Sequence, residues 1–289
     1  MSKRLGVSQT AIEIINGRWT MHIFGMRNDP ATAELMSVLP NTSVVGLWLT
    51  LFPLWVQFKL SGQLSFYPRI PKEGNETLAD LVPSRTLYFD RLIRRALQNV
   101  EQFVLMGAGY DTRGYGMFAD AGVTIFELDQ PAVQSHKREM LQKTTINSNH
   151  VNFVTIDFSE DDLFAKLADA GFDPSKKTLL LWEGVTLYLS LTEVQRTMRL
   201  VKRRAAPGSI LLADLYAERM IELYGKSRVG AKLLELTDEG LDFGLSFAAN
   251  WEQALNEFVE AQSMKVGEAH FLGSNNEKGP YAVVAEMKC

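Results

Sequence analysis

One stretch, Gln102 to Asp129, constrains the fold of this 289-residue chain more than any other. It reads QFVLMGAGYDTRGYGMFADAGVTIFELD. Phe103 to Met106 is a short apolar run with the character of a buried strand, and it breaks into Gly107-Ala108-Gly109. Two glycines so close let the backbone turn tightly and approach a ligand. A second apolar run, Val123 to Phe126, ends in two acids, Glu127 and Asp129. Asp129 follows Gly109 by twenty residues, the spacing at which an acid on a second strand reaches the hydroxyls of a bound ribose. The same pieces would also make a ligand-free strand, glycine turn, helix and strand. The acid at that spacing favours a nucleotide.

The dinucleotide fingerprint requires a third glycine three positions after the second, where helix and strand pack closely. That position is Thr112, and no phosphate loop with Gly-Lys-Ser/Thr occurs either. A glycine turn that keeps the ribose acid but lacks pyrophosphate features suits adenosine without phosphate. S-adenosyl-L-methionine is the candidate that these residues indicate.

Hydrophobic residues make up 46% of the chain, enough to bury a large core, so one large domain with an appended lid is expected. A net charge of −4 and a pI near 5.7 argue against a nucleic-acid partner. Cys289 is the sole cysteine, which excludes an internal disulfide framework and fits a reducing, cytoplasmic compartment. No Cys-x-x-Cys, His-Glu-x-x-His or clustered His/Cys pattern points to a metal. The basic start of the chain is not followed by an apolar signal core.

Residues 1–43 mix helix formers with turn signals and predict short helices. Val44 to Val56 is almost wholly apolar over thirteen residues. It reads as too short for a stable membrane span and is interrupted by Pro53. A buried helix or the apolar wall of a lid is the expectation, with a membrane-resting or dimerising surface, and hence a homodimer, as the alternative. Residues 61–83 read as an irregular connection. A helix is predicted from Ser84, with Phe89, Leu92, Ile93, Ala96, Leu97 and Val100 on one face. Arg85 then falls in its first turn, where a cation opposes the helix dipole. That misplacement hints that Arg85 serves a ligand carboxylate or a neighbouring acid.

From Gln102 onward strands and helices alternate, the signature of a parallel sheet covered by helices on both faces. Helices are expected from Pro131 to Lys143, from Ser159 to Ala170, and from the Ser190-Leu-Thr-Glu193 capping box to Ala205. Strands are expected at Val151 to Ile156, Thr178 to Trp182 and Ser209 to Ala213. Residues 216–250 read as a helical insertion after the fifth strand that would serve as a lid. Met264 to Leu272 and Tyr281 to Met287 read as a closing hairpin, which completes seven strands. In such sheets the ligand lies beyond the carboxyl ends of the strands, where Asp129, Asp157, Glu183 and Asp214 are expected. Glu183 directly follows Leu179-Leu-Leu-Trp182, and a carboxylate at the edge of an apolar core requires partners.

Together these motifs resemble the leucine carboxyl methyltransferase-like class I S-adenosyl-L-methionine-dependent methyltransferases, including their small-molecule O-methyltransferase branch. The matching pieces are Ser84-Arg-Thr-Leu-Tyr-Phe-Asp90, Val104-Leu-Met-Gly-Ala-Gly-Tyr-Asp-Thr-Arg113, Phe126-Glu-Leu-Asp-Gln-Pro131 with Lys137 following, and Glu183-Gly-Val-Thr-Leu-Tyr-Leu189. The resemblance covers about residues 84–190 and implies a Rossmann-like, seven-stranded α/β domain over 84–289. An N-terminal helical lid would occupy 1–83. It implies that Arg85 holds the methionine carboxylate of the cofactor, with Glu183 near its amino group. Gly107 and Gly109 would admit the backbone close to the ligand, and Asp129 would accept from the ribose hydroxyls. Asp157 and Phe158 would meet the adenine, and Tyr188 would line the passage to the acceptor.

An O-methyltransferase acting on a small apolar or aromatic molecule is the function these implications support. None of the four histidines falls in a motif that identifies a general base, which favours a carboxylate over a phenolic acceptor. Residues 44–58 would wall the acceptor pocket. Protein C-terminal carboxylates stay open as acceptors. A nicotinamide-dependent oxidoreductase is disfavoured by Thr112 and by the lack of an evident Tyr-Lys pair, and a non-catalytic cofactor-binding module is the third reading.

Overall fold

The computed structural model describes residues 9–40, 42–64, 75–158, 160–226, 240–247, 250–273 and 280–289. Its central strands are uninterrupted apolar runs because both faces of the sheet are covered. β1 (Gln102–Met106) and β4 (Thr178–Trp182) are buried at every position. With β2 (Thr124–Asp129), β3 (Val151–Thr155) and β5 (Ile210–Tyr216) they form the parallel part of the sheet. β6 (Lys265–Leu272) and β7 (Ala282–Lys288) form the expected antiparallel hairpin, and β7 inserts between β5 and β6. The seven strands stand in the order β3-β2-β1-β4-β5-β7-β6, the seven-stranded α/β sheet expected from the sequence.

Successive strand residues point to opposite faces, and the core divides accordingly. Phe103 and Leu105 pack with α1 (Gln9–Ile23), α2 (Pro30–Val38) and α4 (Leu81–Ala96). Val104 and Met106 pack with α6 (Leu163–Asp169), α7 (Leu191–Arg204) and α9 (Trp251–Glu260). α5 (Pro131–Leu141) follows β2, and α8 (Glu218–Lys226) follows β5.

Several boundaries differ from the expectation for identifiable reasons. α4 begins at Leu81 rather than Ser84, and Pro83 sits in its first turn, where no intrahelical N–H is needed. Arg85 is therefore in the second turn, and the dipole argument for it lapses. α6 starts only at Leu163, because Asp162 accepts hydrogen bonds from the Phe164 and Ala165 amides and caps the helix there. Ser159 lies outside the described residues. β5 runs on through Asp214 to Tyr216 because its ladder with β7 continues to the Tyr216–Ala282 pair. Asp214 is thus inside a strand, fully buried, rather than at its end. Of the insertion expected at 216–250, α8 is helical, residues 240–247 return alongside Ala217, and 227–239 and 248–249 lie outside the described residues.

The apolar stretch after residue 44 departs most. α3 (Val44–Ser61) is one 18-residue helix that continues through Pro53, and none of its residues is buried. Proline frees the carbonyl of Leu49, but Leu49 is 71% exposed, so water can satisfy that group. The inner edge of α3 touches α1 and the turn after it, with Trp48 edge-on to Trp19 and the Trp55 indole N–H donating to the Ile23 carbonyl. It is the one helix among the described residues long and apolar enough to cross a membrane by length and composition. The reading of this segment as too short is corrected, and so is its reading as a buried helix.

Candidate active site

The sheet reverses its order between β1 and β4, and the loops that leave their carboxyl ends diverge to open a crevice. Gly107 stands there at φ +69°, and a Cβ on it would lie 2.7 Å from Cγ2 of Val185. Gly109 has φ +47°, with Ala11 of α1 packed against the place a Cβ would occupy. The loop is therefore built for close approach on both sides. Gly107→Ala is expected to lose about 1–3 kcal/mol from left-handed strain plus the Val185 clash. Thermal or denaturant unfolding measures it, and an unchanged midpoint would contradict the packing described.

Asp129 ends β2 directly beneath this loop. Its Oδ2 accepts the Gly109 amide at 2.6 Å and its Oδ1 accepts the Gln130 amide at 2.7 Å. Burial raises its carboxyl above the usual range despite those two hydrogen bonds. Each carboxylate oxygen keeps a lone pair for a ligand hydroxyl. Tyr110, next to Gly109, pairs its hydroxyl with Nδ1 of His136 at 2.8 Å, which places His136 in a bracing position.

On the opposite wall of the crevice, Glu183 leaves β4 and meets three guanidiniums. Arg113 donates to its Oε2, Arg18 reaches the same oxygen at 3.0 Å, and Arg85 lies 3.4 Å from Oε1. Burial alone would raise its carboxyl, but Arg113, Arg18 and Arg85 outweigh it and hold Glu183 ionised well below the usual range. Arg113 also binds Asp111 at 2.6 Å and Asp90 at 2.7 Å. Arg85 binds Asp214 at 3.0 Å and the Tyr216 hydroxyl, so the neighbouring acid anticipated for it is present twice over. Asp214 in turn accepts the Gly184 amide at 2.8 Å and anchors the turn after β4.

Arg85, Gly107, Gly109, Asp129, Asp157, Phe158, Glu183 and Tyr188 all line one cavity of about 1070 Å³. No residue of α3 lines it, so the expectation that 44–58 walls the acceptor pocket is corrected. That wall is made instead by α1, by the start of α4 with Leu81 and Val82, and by Leu187 and Met220. Sequence reasoning missed Arg18. Its signal was available, since Ala11, Ile14, Ile15 and Arg18 share one helical face, and an arginine amid such a face requires an acid. Among the described lining residues six acids stand against three arginines: Glu13, Asp111, Asp129, Asp157, Glu183 and Glu193 against Arg18, Arg85 and Arg196. No cluster of metal-binding side chains occurs among the described residues.

The site fits a nucleoside that carries an amino acid. The Nε atoms of Arg18 and Arg85 and Oε1 of Glu183 are buried without a hydrogen-bond partner. An amino-acid moiety offers a carboxylate for the first two and an ammonium for the third. The glycine cradle and Asp129 would suit the ribose of such a ligand.

The fold and this site define a class I methyltransferase architecture. The sequence pattern of the leucine carboxyl methyltransferase family matches residues 55–202, just over half of the chain. The chain belongs to that family, whose cofactor is S-adenosyl-L-methionine. A provisionally named S-adenosyl-L-methionine-dependent methyltransferase of Mycobacteroides abscessus is 33% identical over 159 residues, covering 54% of this chain and 52% of that protein. A similarly named protein of Parafrankia sp. is 36% identical over 167 residues, 54% of each. The chain thus spans about half the length of the curated relatives it matches. Among solved structures, a Thermobifida fusca methyltransferase, also provisionally named, aligns with TM-score 0.49 at 17% identity, covering 72% of this chain and 82% of that one.

Proposed function

We propose that this protein transfers a methyl group from S-adenosyl-L-methionine to an oxygen of a small apolar or aromatic molecule, a carboxylate or a phenolic hydroxyl. The observation that carries the reading is the meeting, in one cavity, of a glycine cradle, a ribose-ready acid and buried Arg and Glu atoms that make no hydrogen bond, although Arg85 Nε and Glu183 Oε1 face each other at 3.4 Å. In this reading Asp129 accepts from the ribose hydroxyls, and Asp157 with the Phe158 backbone receives the adenine. Arg18, Arg85 and Glu183 hold the amino-acid end, and Tyr188 lines the way to the acceptor.

The bound cofactor supplies a methyl group on a good leaving group. What the chain contributes is alignment and exclusion of water: apolar side chains such as Leu81, Val82, Leu187 and Met220 form the rest of the cavity wall. Holding two reactants in line supplies on the order of 7–11 kcal/mol in favourable cases.

Calorimetric titration tests the reading, with S-adenosyl-L-methionine expected to bind and NAD not. Asp129→Asn keeps the shape but points an amide N–H at the amide of Gly109 or Gln130. It is expected to weaken cofactor binding about 10- to 100-fold, the value of a hydrogen bond to a charged group. Equal affinity in the variant would end the proposal.

A further inference from the structure

The polar groups of the cavity are nearly all committed. Asp111 and Glu183 are held by arginines, Asp129 by two amides, and Glu193 by the Ser190 cap of α7. Arg18 and Arg85 are neutralised by these acids and by Asp214, and Arg196 donates to the Phe158 carbonyl. Among the described lining residues, Arg196 is thus the one cation without a carboxylate in hydrogen-bond or ion-pair contact, and it lies on the exposed side, donating to a backbone carbonyl. Glu13 differs from the other acids. It stands on α1 at the exposed edge of the cavity, beside Ile14, and makes no hydrogen bond or ion pair.

We propose that Glu13 is the acceptor-side carboxylate, which accepts the hydrogen bond and then the proton of a neutral hydroxyl on the substrate. The inference rests on the methyl-transfer reading above and sharpens it: the acceptor is a hydroxyl compound, such as a phenol, and not a carboxylate. In the step, the acceptor oxygen bonds to the methyl carbon as the carbon–sulfur bond breaks, and sulfur keeps that electron pair. The hydroxyl proton passes to Glu13, which returns it to water through the cavity mouth. Burial of part of the side chain raises the Glu13 carboxyl above its ordinary value, which improves it as a base. An excess of acids along the walls also disfavours an anionic acceptor and suits a neutral one.

Glu13→Gln tests this, because the residue is exposed and the isosteric amide accepts no proton. Three probes are compared at mildly alkaline pH: para-cresol, which is neutral there, para-nitrophenol, which ionises without help, and benzoate. Methyl transfer to para-cresol is expected to fall about 100-fold in the variant, the lower range of general-base effects, with para-nitrophenol changed only a few-fold. Equilibrium titration of the cofactor-free protein with para-cresol is expected to weaken about 10-fold, while affinity for S-adenosyl-L-methionine stays the same. Equal losses on both phenols, no loss, turnover of benzoate in preference to phenols, or turnover of none of the three overturns the inference. Failure of the wild-type protein to bind S-adenosyl-L-methionine would instead remove the reading beneath it.

Discussion

Arg113→Met is expected to lower stability by about 3–5 kcal/mol, the cost of removing one partner from a buried ionic cluster. Arg113 is fully buried and donates to Asp90, Asp111 and Glu183 at once. Methionine fills similar space but leaves those carboxylates with fewer cations. Arg27 still holds Asp90, Arg18 still reaches Asp111 and Glu183, and Arg85 still faces Glu183, so the cluster is weakened rather than abolished. Asp111 and Glu183 have carboxyls depressed in the folded protein against the pull of burial, chiefly by Arg113 and then Arg18. Such groups contribute stability above their ordinary values near 4, and the contribution is lost as pH falls through the depressed ones. The gap between wild type and variant should accordingly be widest at neutral pH and narrow in acid. Urea midpoints across that range measure it. A gap that widened in acid would show that the carboxylates are not what Arg113 serves.

That cluster also marks where sequence reasoning stopped. The strand–glycine–strand unit of 102–129 was legible because its signals are local: apolar runs, a turn that demands glycine, an acid at fixed spacing. The closing hairpin was legible for the same reason. Arg18, Asp90 and Arg27 carry no local signal for one another, because α1, α4 and the connection between α1 and α2 bring them to this cluster from distant parts of the chain. The length of β5 was set by its antiparallel neighbour β7, which no pattern within Ser209 to Ala213 records. α3 misled because continuous apolarity normally signals burial, whereas its outer residues Val45, Leu49 and Leu60 are 71%, 71% and 84% exposed. All eight residues singled out for the site line the same cavity, and two of them, Arg85 and Glu183, also pair with each other there.

Lys137→Met is expected to give the second large loss. Lys137 is wholly buried on α5, with Nζ 2.6 Å from Glu127 Oε2 and 2.7 Å from the Asp111 carbonyl. It therefore ties β2 to the loop that carries Gly107 and Gly109. Burial lifts the Glu127 carboxyl to about 7, and Lys137 is the group that restrains the rise. Without Lys137 the carboxyl climbs further and stays protonated over a wider range. The sign follows: a carboxyl raised in the folded state binds more protons than the unfolded chain, so its effect is to reduce stability as pH rises from about 4.5 towards the folded value. In the variant that decline should continue beyond 7, so the loss is smallest in mild acid and reaches about 3–5 kcal/mol at alkaline pH. The double variant Lys137→Met with Glu127→Leu removes both charges and should recover most of the loss, since apolar replacement of a whole buried pair is often neutral. If the double variant is no more stable than Lys137→Met alone, the Asp111 carbonyl rather than Glu127 is the partner that matters, and the coupling between β2 and the glycine loop runs through that single hydrogen bond.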